Sequence, residues 1–547
     1  MKISKKILLG FSSLIVSFSL DTAFAAENKN SRDLAQNRRL TPKNSSPRKQ
    51  TQTPGSSGPA NNYLQKQYEQ QLSQGLSQVR NGQFAQGANT LFTLSKRPEM
   101  APYRSQIKFI LGTALMELKL YQVAAFQFVD VIRLNSAKYK RSAIEKLSIV
   151  ADILGDDTLL NYSISKVEVN QIPAQNRDMI LYRLGEVKMK NQQFQDAIKF
   201  FAQVGGNSAY YNQALFNRGL SELELNQNDR AIASFQTMLQ SREGQNVTDT
   251  NRVAAILATA RSYYQKQDWD QSILNYSLVP RDHFMWHDAL FEQTWAMLRG
   301  ARFRSALSNL QSLHSAYYED FYIPESLLLR AIVYLYICKY DEMEKVLKLF
   351  EKSYGPIRTQ VTEYLRVNSD PISYFNELDK AERSRKKTER PKFALPYVVV
   401  KNILEKGDIK RAFQYLRKLE DEKRRIEESS SFKNSSIGQY STKLILNRSK
   451  NTKLIIGENV KIHLTNMRTE LRDLFEQSSF IRYEMISGQK EITKKQISGS
   501  DITESLVDDN RDREFYVQNG FEYYPFKGEF WLDEIGNYHY LGKQSCE

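Results

Sequence analysis

Residues 181–204 read LYRLGEVKMKNQQFQDAIKFFAQV, and the spacing inside this stretch restricts the fold more than any other feature of the chain. Leu184 and Gly185 are followed twelve residues later by Ala197, and one turn further on by Phe201. Two helices cross closely only where both contact residues are small. Gly185 and Ala197 therefore mark the crossing of a helical hairpin, and Phe201 fills the space beside it. The unit recurs. Its turn is marked by Phe84, Tyr121, Phe194, Asn228, Trp269, Phe303, Tyr340 and Ile409, which follow one another at 34–41 residues, or at about twice that between 121 and 194 and between 340 and 409. The two long steps predict degenerate units near 140–175 and 355–390, and about ten hairpins over 63–428.

This spacing resembles the tetratricopeptide repeat family. The resemblance implies an all-α, right-handed superhelical solenoid whose first helices line a concave surface. Mapped onto this chain, the family's groove positions are Tyr182, Glu186, Phe216, Leu220, Leu257, Arg261, Tyr264, Phe291, Trp295 and Arg299. Large apolar side chains with an occasional Arg suit burial of a partner's helix or extended segment, although the same residues could pack between neighbouring helices. The Lys/Asn pattern of the carboxylate-clamp subclass is absent at these positions. Several units open on an aromatic followed by a small residue, as in Tyr139…Ala143, Tyr210…Ala214 and Trp286…Ala289. The stretch YYNQALFNRGLSELELNQNDRAIASFQTML resembles single repeats of envelope proteins attached to outer-membrane assembly or Tol–Pal machinery.

Residues 1–25 have the form of a cleavable signal peptide. Lys2, Lys5 and Lys6 precede the apolar run Ile7–Leu20, which is too short for a comfortable span, and Ala23-Phe24-Ala25 supplies a cleavage site near Ala25. A periplasmic protein, with outer-membrane association as one variant, is the expectation. Residues 26–62 hold no aromatic or β-branched apolar residue and carry a basic excess, so they read as a disordered tether. The two cysteines, Cys338 and Cys546, exclude a disulfide framework but leave one bond open. The net charge of +15 points, for an exported chain, away from nucleic acid and towards acidic protein faces or peripheral contact with an anionic membrane surface.

Charge is dense over 380–428, in DKAERSRKKTER and RKLEDEKRRIEE, and reads as a solvated helix face. SSSFKNSSIG (429–438) breaks the pattern within a linker-and-helix segment placed at 429–489. Ile456, Val460, Leu464, Met467, Leu471, Leu474, Ile481 and Met485 then predict a long amphipathic helix that caps the last repeat or pairs with a partner helix in coiled-coil fashion. The end, 490–547, is a loop followed by an aromatic segment. Extended stretches are expected at about 520–526, 529–533 and 538–541 around a turn at Glu534–Asn537. Its aromatics Tyr524, Phe526, Phe530, Trp531, Tyr538 and Tyr540 must bury against the array, the long helix or another chain. YYPFKGEFWLDEIGNYHY resembles a terminal segment of deltaproteobacterial envelope tetratricopeptide proteins, some of gliding-motility type.

No catalytic constellation emerges. GxSxG, GxxxxGK[ST], HExxH and a strand-borne GxGxxG are all missing, and neither Cys has a His near it in sequence. His283 and His287 lie four apart beside Asp282 and Asp288 but lack a third ligand, so no metal and no cofactor is expected. The reading that results is a non-enzymatic periplasmic scaffold binding envelope proteins. A periplasmic chaperone or assembly factor is the alternative, and a cell-wall lytic enzyme is disfavoured because the residues after the long helix are too few for a catalytic domain.

Overall fold

A computed structural model describes residues 59–497, except 135, 137, 157, 160, 162–176, 242–249, 320 and 385–391, together with 531, 533–538 and 540. The expected signal peptide, the tether up to 58 and the aromatics Tyr524, Phe526 and Phe530 lie outside the described residues. Among those described there are twenty α-helices and no strand. In chain order they are α1 (Pro59–Arg80), α2 (Phe84–Ser95), α3 (Arg104–Glu117), α4 (Tyr121–Arg133), α5 (Lys140–Leu154), α6 (Arg177–Lys190), α7 (Phe194–Phe201), α8 (Tyr211–Glu224), α9 (Asn228–Gln240) and α10 (Thr250–Gln265). There follow α11 (Trp269–Ser277), α12 (Trp286–Arg299), α13 (Phe303–Leu313), α14 (Pro324–Tyr336), α15 (Tyr340–Val367), α16 (Pro371–Ser384), α17 (Tyr397–Glu405), α18 (Gly407–Glu428), α19 (Ser430–Lys433) and α20 (Ser436–Ile497).

Seven of the eight turn residues picked from the spacing are the first residue of a hairpin's second helix: Phe84, Tyr121, Phe194, Asn228, Trp269, Phe303 and Tyr340. Two residues before each sits a left-handed residue, namely Gly82, Lys119, Gln192, Asn226, Gln267, Ala301 and Cys338. The residue between them closes the first helix by donating its N–H back five positions, as Leu120 does to Leu115 O (2.9 Å), Gln193 to Lys188 O (2.9 Å) and Arg302 to Met297 O (2.8 Å). This Schellman closure satisfies carbonyls that the helix end would leave open, and it turns the chain into the second helix.

The crossing follows the predicted chemistry. A Cβ on Gly112 would stand 2.7 Å from the Phe128 ring, and one on Gly185 or Gly219 would stand 2.5 Å from Phe201 or Phe235. Later hairpins cross on Ala with Ser or Thr. Ser272 Oγ donates to Ala260 O at 3.0 Å, and Thr294 and Ala306 are both buried.

The described chain forms two compact units, one from residues up to 211 with 406–456, the other from 212–405 with 457 onwards. In the first, helices α1 to α5 pack each on the next. Ile409 departs from the predicted pattern: α18 runs through it unbroken, and the helix lies against α4. The reason is a stripe hidden inside the charge run. Tyr415, Leu419 and Ile426 enter the same core as Leu91, Leu111, Phe128 and Leu147. The expectation of a solvated face is therefore corrected on that side of α18, while Arg424 with Asp421 (2.7 Å) keeps the outer side charged.

All eight positions that predicted the long helix are buried. The helix begins earlier than they do, at Ser436, and it does more than cap a last repeat. Ile437 and Ile445 belong to the first unit's core, where Tyr440 packs on Phe92 (ring centroids 5.0 Å) and Arg448 stands over Phe126. In the second unit, Phe475 packs on Phe350 (4.7 Å), and Arg482 reaches Glu351 (2.9 Å) and Glu344 (3.4 Å) on α15.

Candidate partner-binding site

The residues assigned to a groove separate into those spent on the fold and those left at the surface. Leu257 and Trp295 are buried, so they are core residues and not contact residues as read from the sequence. Tyr182 is also buried. It stacks on Tyr210 (5.4 Å), donates from its hydroxyl to Glu186 Oε1 (2.8 Å), and Arg183 holds the other Glu186 oxygen at 2.7 Å. Phe216 and Leu220 pack against Ala231, Phe235 and Ala258. Each of these belongs to the close packing between neighbouring helices, the second role that their residue type allows.

Arg261, Tyr264, Phe291 and Arg299 are half-buried on α10 and α12. Arg261 grips Glu292 in a two-point ion pair (2.7 and 2.6 Å), and Tyr276 donates its hydroxyl to Glu292 Oε2 at 2.9 Å. The pair fixes α12 to α10 with directional bonds. Tyr264 sets its ring edge-on to Trp269 (5.1 Å). Burial raises its phenol above the ordinary range, and Arg299 pulls it back. One hairpin on, His314 bridges Ser326 Oγ (2.9 Å) and Arg330 (3.3 Å). Burial, then the Arg330 charge, lowers it to about 3, so it is neutral at physiological pH. His283 accepts the Met285 N–H on Nδ1 (3.2 Å), and His287 lies on Phe321 (4.0 Å) with its Nε2 beside Asp288. Among the described residues no three His, Cys, Asp or Glu side chains gather as a metal-holding group.

The described residues among 533–540 occupy a site of their own in the second unit. Residues Glu534–Asn537 form the predicted turn, with Asn537 N–H donating to Glu534 O (2.8 Å); most of the extended stretches expected beside it lie outside the described residues, and the described ones carry no strand. Their backbone donors go to side chains instead. Gly536 N–H donates to Ser312 Oγ (2.8 Å) and Tyr540 N–H to Ser308 Oγ (3.0 Å). Arg281 donates to Asn537 Oδ1. Ile535 is buried, whereas Trp531 is 58% exposed and does not dock, and Tyr538 and Tyr540 are half-buried. Burial, with Tyr334 and Glu342 nearby, pushes the Tyr540 phenol up to about 12.

Residues 72–138 and 182–246 match the family model for the tetratricopeptide repeat. Both stretches are tetratricopeptide repeats. No curated protein matches the chain. Among solved structures it is similar to a tetratricopeptide repeat protein from Parabacteroides merdae (14% identity, 53% of this chain and 93% of that one, TM-score 0.25). It is also similar to pilF of Pseudomonas aeruginosa (14%, 48% and 97%, 0.26) and to a Rap protein complexed with competence and sporulation factor (12%, 72% and 99%, 0.28).

Tetratricopeptide hairpins are interaction scaffolds, and the side chains described above show how this one is stiffened: Arg–Glu and Tyr–Glu bonds tie helix to helix and leave a few amphipathic residues at the surface. Sequence reasoning missed Ser308, Ser312 and Arg281, which hold the tail. Serines spaced four apart on a helix carry no signal until the turn they receive is known, and Glu534–Asn537 was that signal.

Proposed function

We propose that this tetratricopeptide repeat protein is an exported scaffold that holds protein partners of a cell envelope on its repeat hairpins. The observation that carries the reading is the two-point Arg261–Glu292 ion pair that stiffens α10 against α12, with Tyr264, Phe291 and Arg299 half-buried on the same two helices. A preorganised surface of aromatic and Arg side chains lowers the ordering cost of binding a helix or an extended segment. Export is supported by the form of residues 1–25 and by Cys338, which is disulfide-bonded, a state that persists in oxidising compartments; Cys546 lies outside the described residues. The chain's basic excess suits acidic partner faces, or peripheral contact with an anionic membrane.

Crosslinking in cells followed by recovery of the full chain, compared with a Phe291→Ala/Arg299→Ala variant, tests this reading. A fixed set of envelope proteins lost from the variant is the expected result. A shifting population of unfolded exported chains would replace the scaffold reading with a chaperone. Thiol titration of protein isolated without reductant and then unfolded should find no free thiol. Two free thiols and an uncleaved amino terminus would defeat the assignment to an exported compartment.

A further inference from the structure

We propose that the hairpin of α12 and α13 is a receptor for a glycine turn, and that the turn within residues 533–538, together with Tyr540, is its tethered, exchangeable ligand. The site is built to read backbone. Ser308 donates its own hydroxyl hydrogen to Arg304 O (3.0 Å), and Ser312 turns its hydroxyl to Ser308 O (3.4 Å). Both oxygens are thereby left with lone pairs facing away from their helix, and they accept the N–H groups of Tyr540 and Gly536. Four residues separate the two serines on α13, and four separate the two donors on the tail, so the register is fixed from both sides. The turn must carry glycine for two reasons. Gly536 is left-handed, with φ +86, and a Cβ on it would stand 2.8 Å from the Trp286 ring. Ile535 supplies the buried anchor next to it, and Arg281 takes the Asn537 amide oxygen. The pattern recognised is an aliphatic residue, a left-handed glycine, an amide side chain and a backbone N–H four residues after the glycine.

The hairpin does not need the tail to be complete. Its crossing is made by Thr294 and Ala306, and its interior is tied by Asn309 to Gln293 (2.8 Å) and Gln293 to Ser277 (2.9 Å). When the turn leaves, the serines lose only what they accept, and water fills an acceptor without leaving a buried donor unpaired. The tail can therefore be exchanged for a like turn from a second copy or a partner. This holds whether or not the α10–α12 surface binds protein.

The test uses the full chain and a fluorescent peptide with the sequence of Trp531–Tyr540. In the wild type the site is filled. Gly536→Val expels the turn by its backbone and its bulk, and Ile535→Asp expels it by removing the anchor. Anisotropy should show both variants binding the peptide at least about tenfold more tightly than the wild type. Adding Ser308→Ala and Ser312→Ala to Gly536→Val should lose about tenfold or more. Amide exchange in Phe303–Leu313 should quicken in both tail variants and slow again when peptide is added. Failure of both expelled-tail variants to bind peptide, or binding that ignores the two serines, overturns the proposal.

Discussion

Both units combine repeat hairpins with chain from far along the sequence, and they use that late chain differently. In the first, α18 and the start of α20 enter the hairpins' own core, where Tyr415, Leu419, Ile426, Ile437 and Ile445 share one cluster with Leu91 and Phe128. They also deliver polar partners. Glu422 Oε1 accepts the Gln122 N–H at 2.8 Å, in the first turn of α4, and Tyr415 donates to Gln122 Oε1 at 2.7 Å. In the second unit the late chain lies along hairpins that already have their own crossing residues, through Phe475, Arg482 and the tail turn. The buried carboxyl there, Glu325, has no hydrogen-bond partner for its Oε1. Each of these two hidden acids has one oxygen without a partner, Glu422 Oε2 and Glu325 Oε1, but the other Glu422 oxygen meets a backbone amide. One closes a helix end that would otherwise lack an acceptor, and the other carries the burial cost of a carboxyl oxygen without a partner.

The largest effect that tests this division comes from the crossings. Gly185→Leu belongs to the first unit and Gly219→Leu to the second, and each would drive a side chain into a ring 2.5 Å from where its Cβ stands. Each should cost roughly 3 kcal/mol, at the upper end for overpacked cores. Amide exchange with peptide resolution should place the damage in the unit that carries the change. Equal loosening of both units by either variant would remove the basis for treating them apart.

Next in size is the response of the two acids. Burial lifts Glu325 to about 8, with Glu470 adding to the rise; burial also lifts Glu422 to about 8, against the pull of the backbone amides of Gln122, Tyr121 and Val123. A carboxyl held above its unfolded value of 4.5 adds stability that is complete below that pH and is lost as the pH rises through about 8. The wild type should therefore lose on the order of 2–4 kcal/mol between pH 5 and pH 9 from Glu325 alone, and Glu325→Gln should flatten that slope in denaturant titrations. Leucine separates the two positions further. Glu422→Leu leaves a buried amide unpaired and should cost roughly 1–3 kcal/mol at pH 7, whereas Glu325→Leu should be neutral or stabilising. Equal costs would mean that the Gln122 contact contributes nothing.

The same contrast explains how much could be read beforehand. The repeat register was legible because every hairpin carries its own determinants within about 34 residues: a small residue, a second one twelve on, and a turn. The eight buried positions of α20 were legible because helical period alone picks them out. What stayed hidden depends on pairs of residues remote in sequence. Nothing in RKLEDEKRRIEE says that Glu422 meets Gln122, since a buried acid and a solvated one look alike until the amide they face is known. Likewise Leu257 and Trp295 have the chemistry of a contact surface, and only the packing of neighbouring hairpins makes them core. Among the tail residues, aromatic character pointed to Trp531, while the anchor proved to be Ile535 beside a glycine whose conformation no bulky residue would adopt.

The smallest effects lie in the turns, and they test whether the two units' hairpins are built alike where they share a geometry. Gly82, in the first unit, and Ala301, in the second, occupy equivalent left-handed positions, with φ of 78° and 57°. A Cβ on Gly82 would meet nothing within 4 Å, so Gly82→Ala changes backbone strain and little else. Left-handed backbone costs a residue with a Cβ roughly 1–2 kcal/mol, and glycine's extra freedom in the unfolded chain returns about 0.5–1 of that. Gly82→Ala should therefore destabilise by roughly 0.5–1 kcal/mol, and Ala301→Gly should stabilise by a similar amount, both read from denaturant midpoints. Opposite signs of matching size would show that the Schellman closure sets the turn in both units and that the residue at its centre merely tolerates it. A loss at both positions would mean that the Ala301 methyl makes a contact of its own, and the second unit's hairpins would then depend on side chains even at the turn where the backbone bonds are the same.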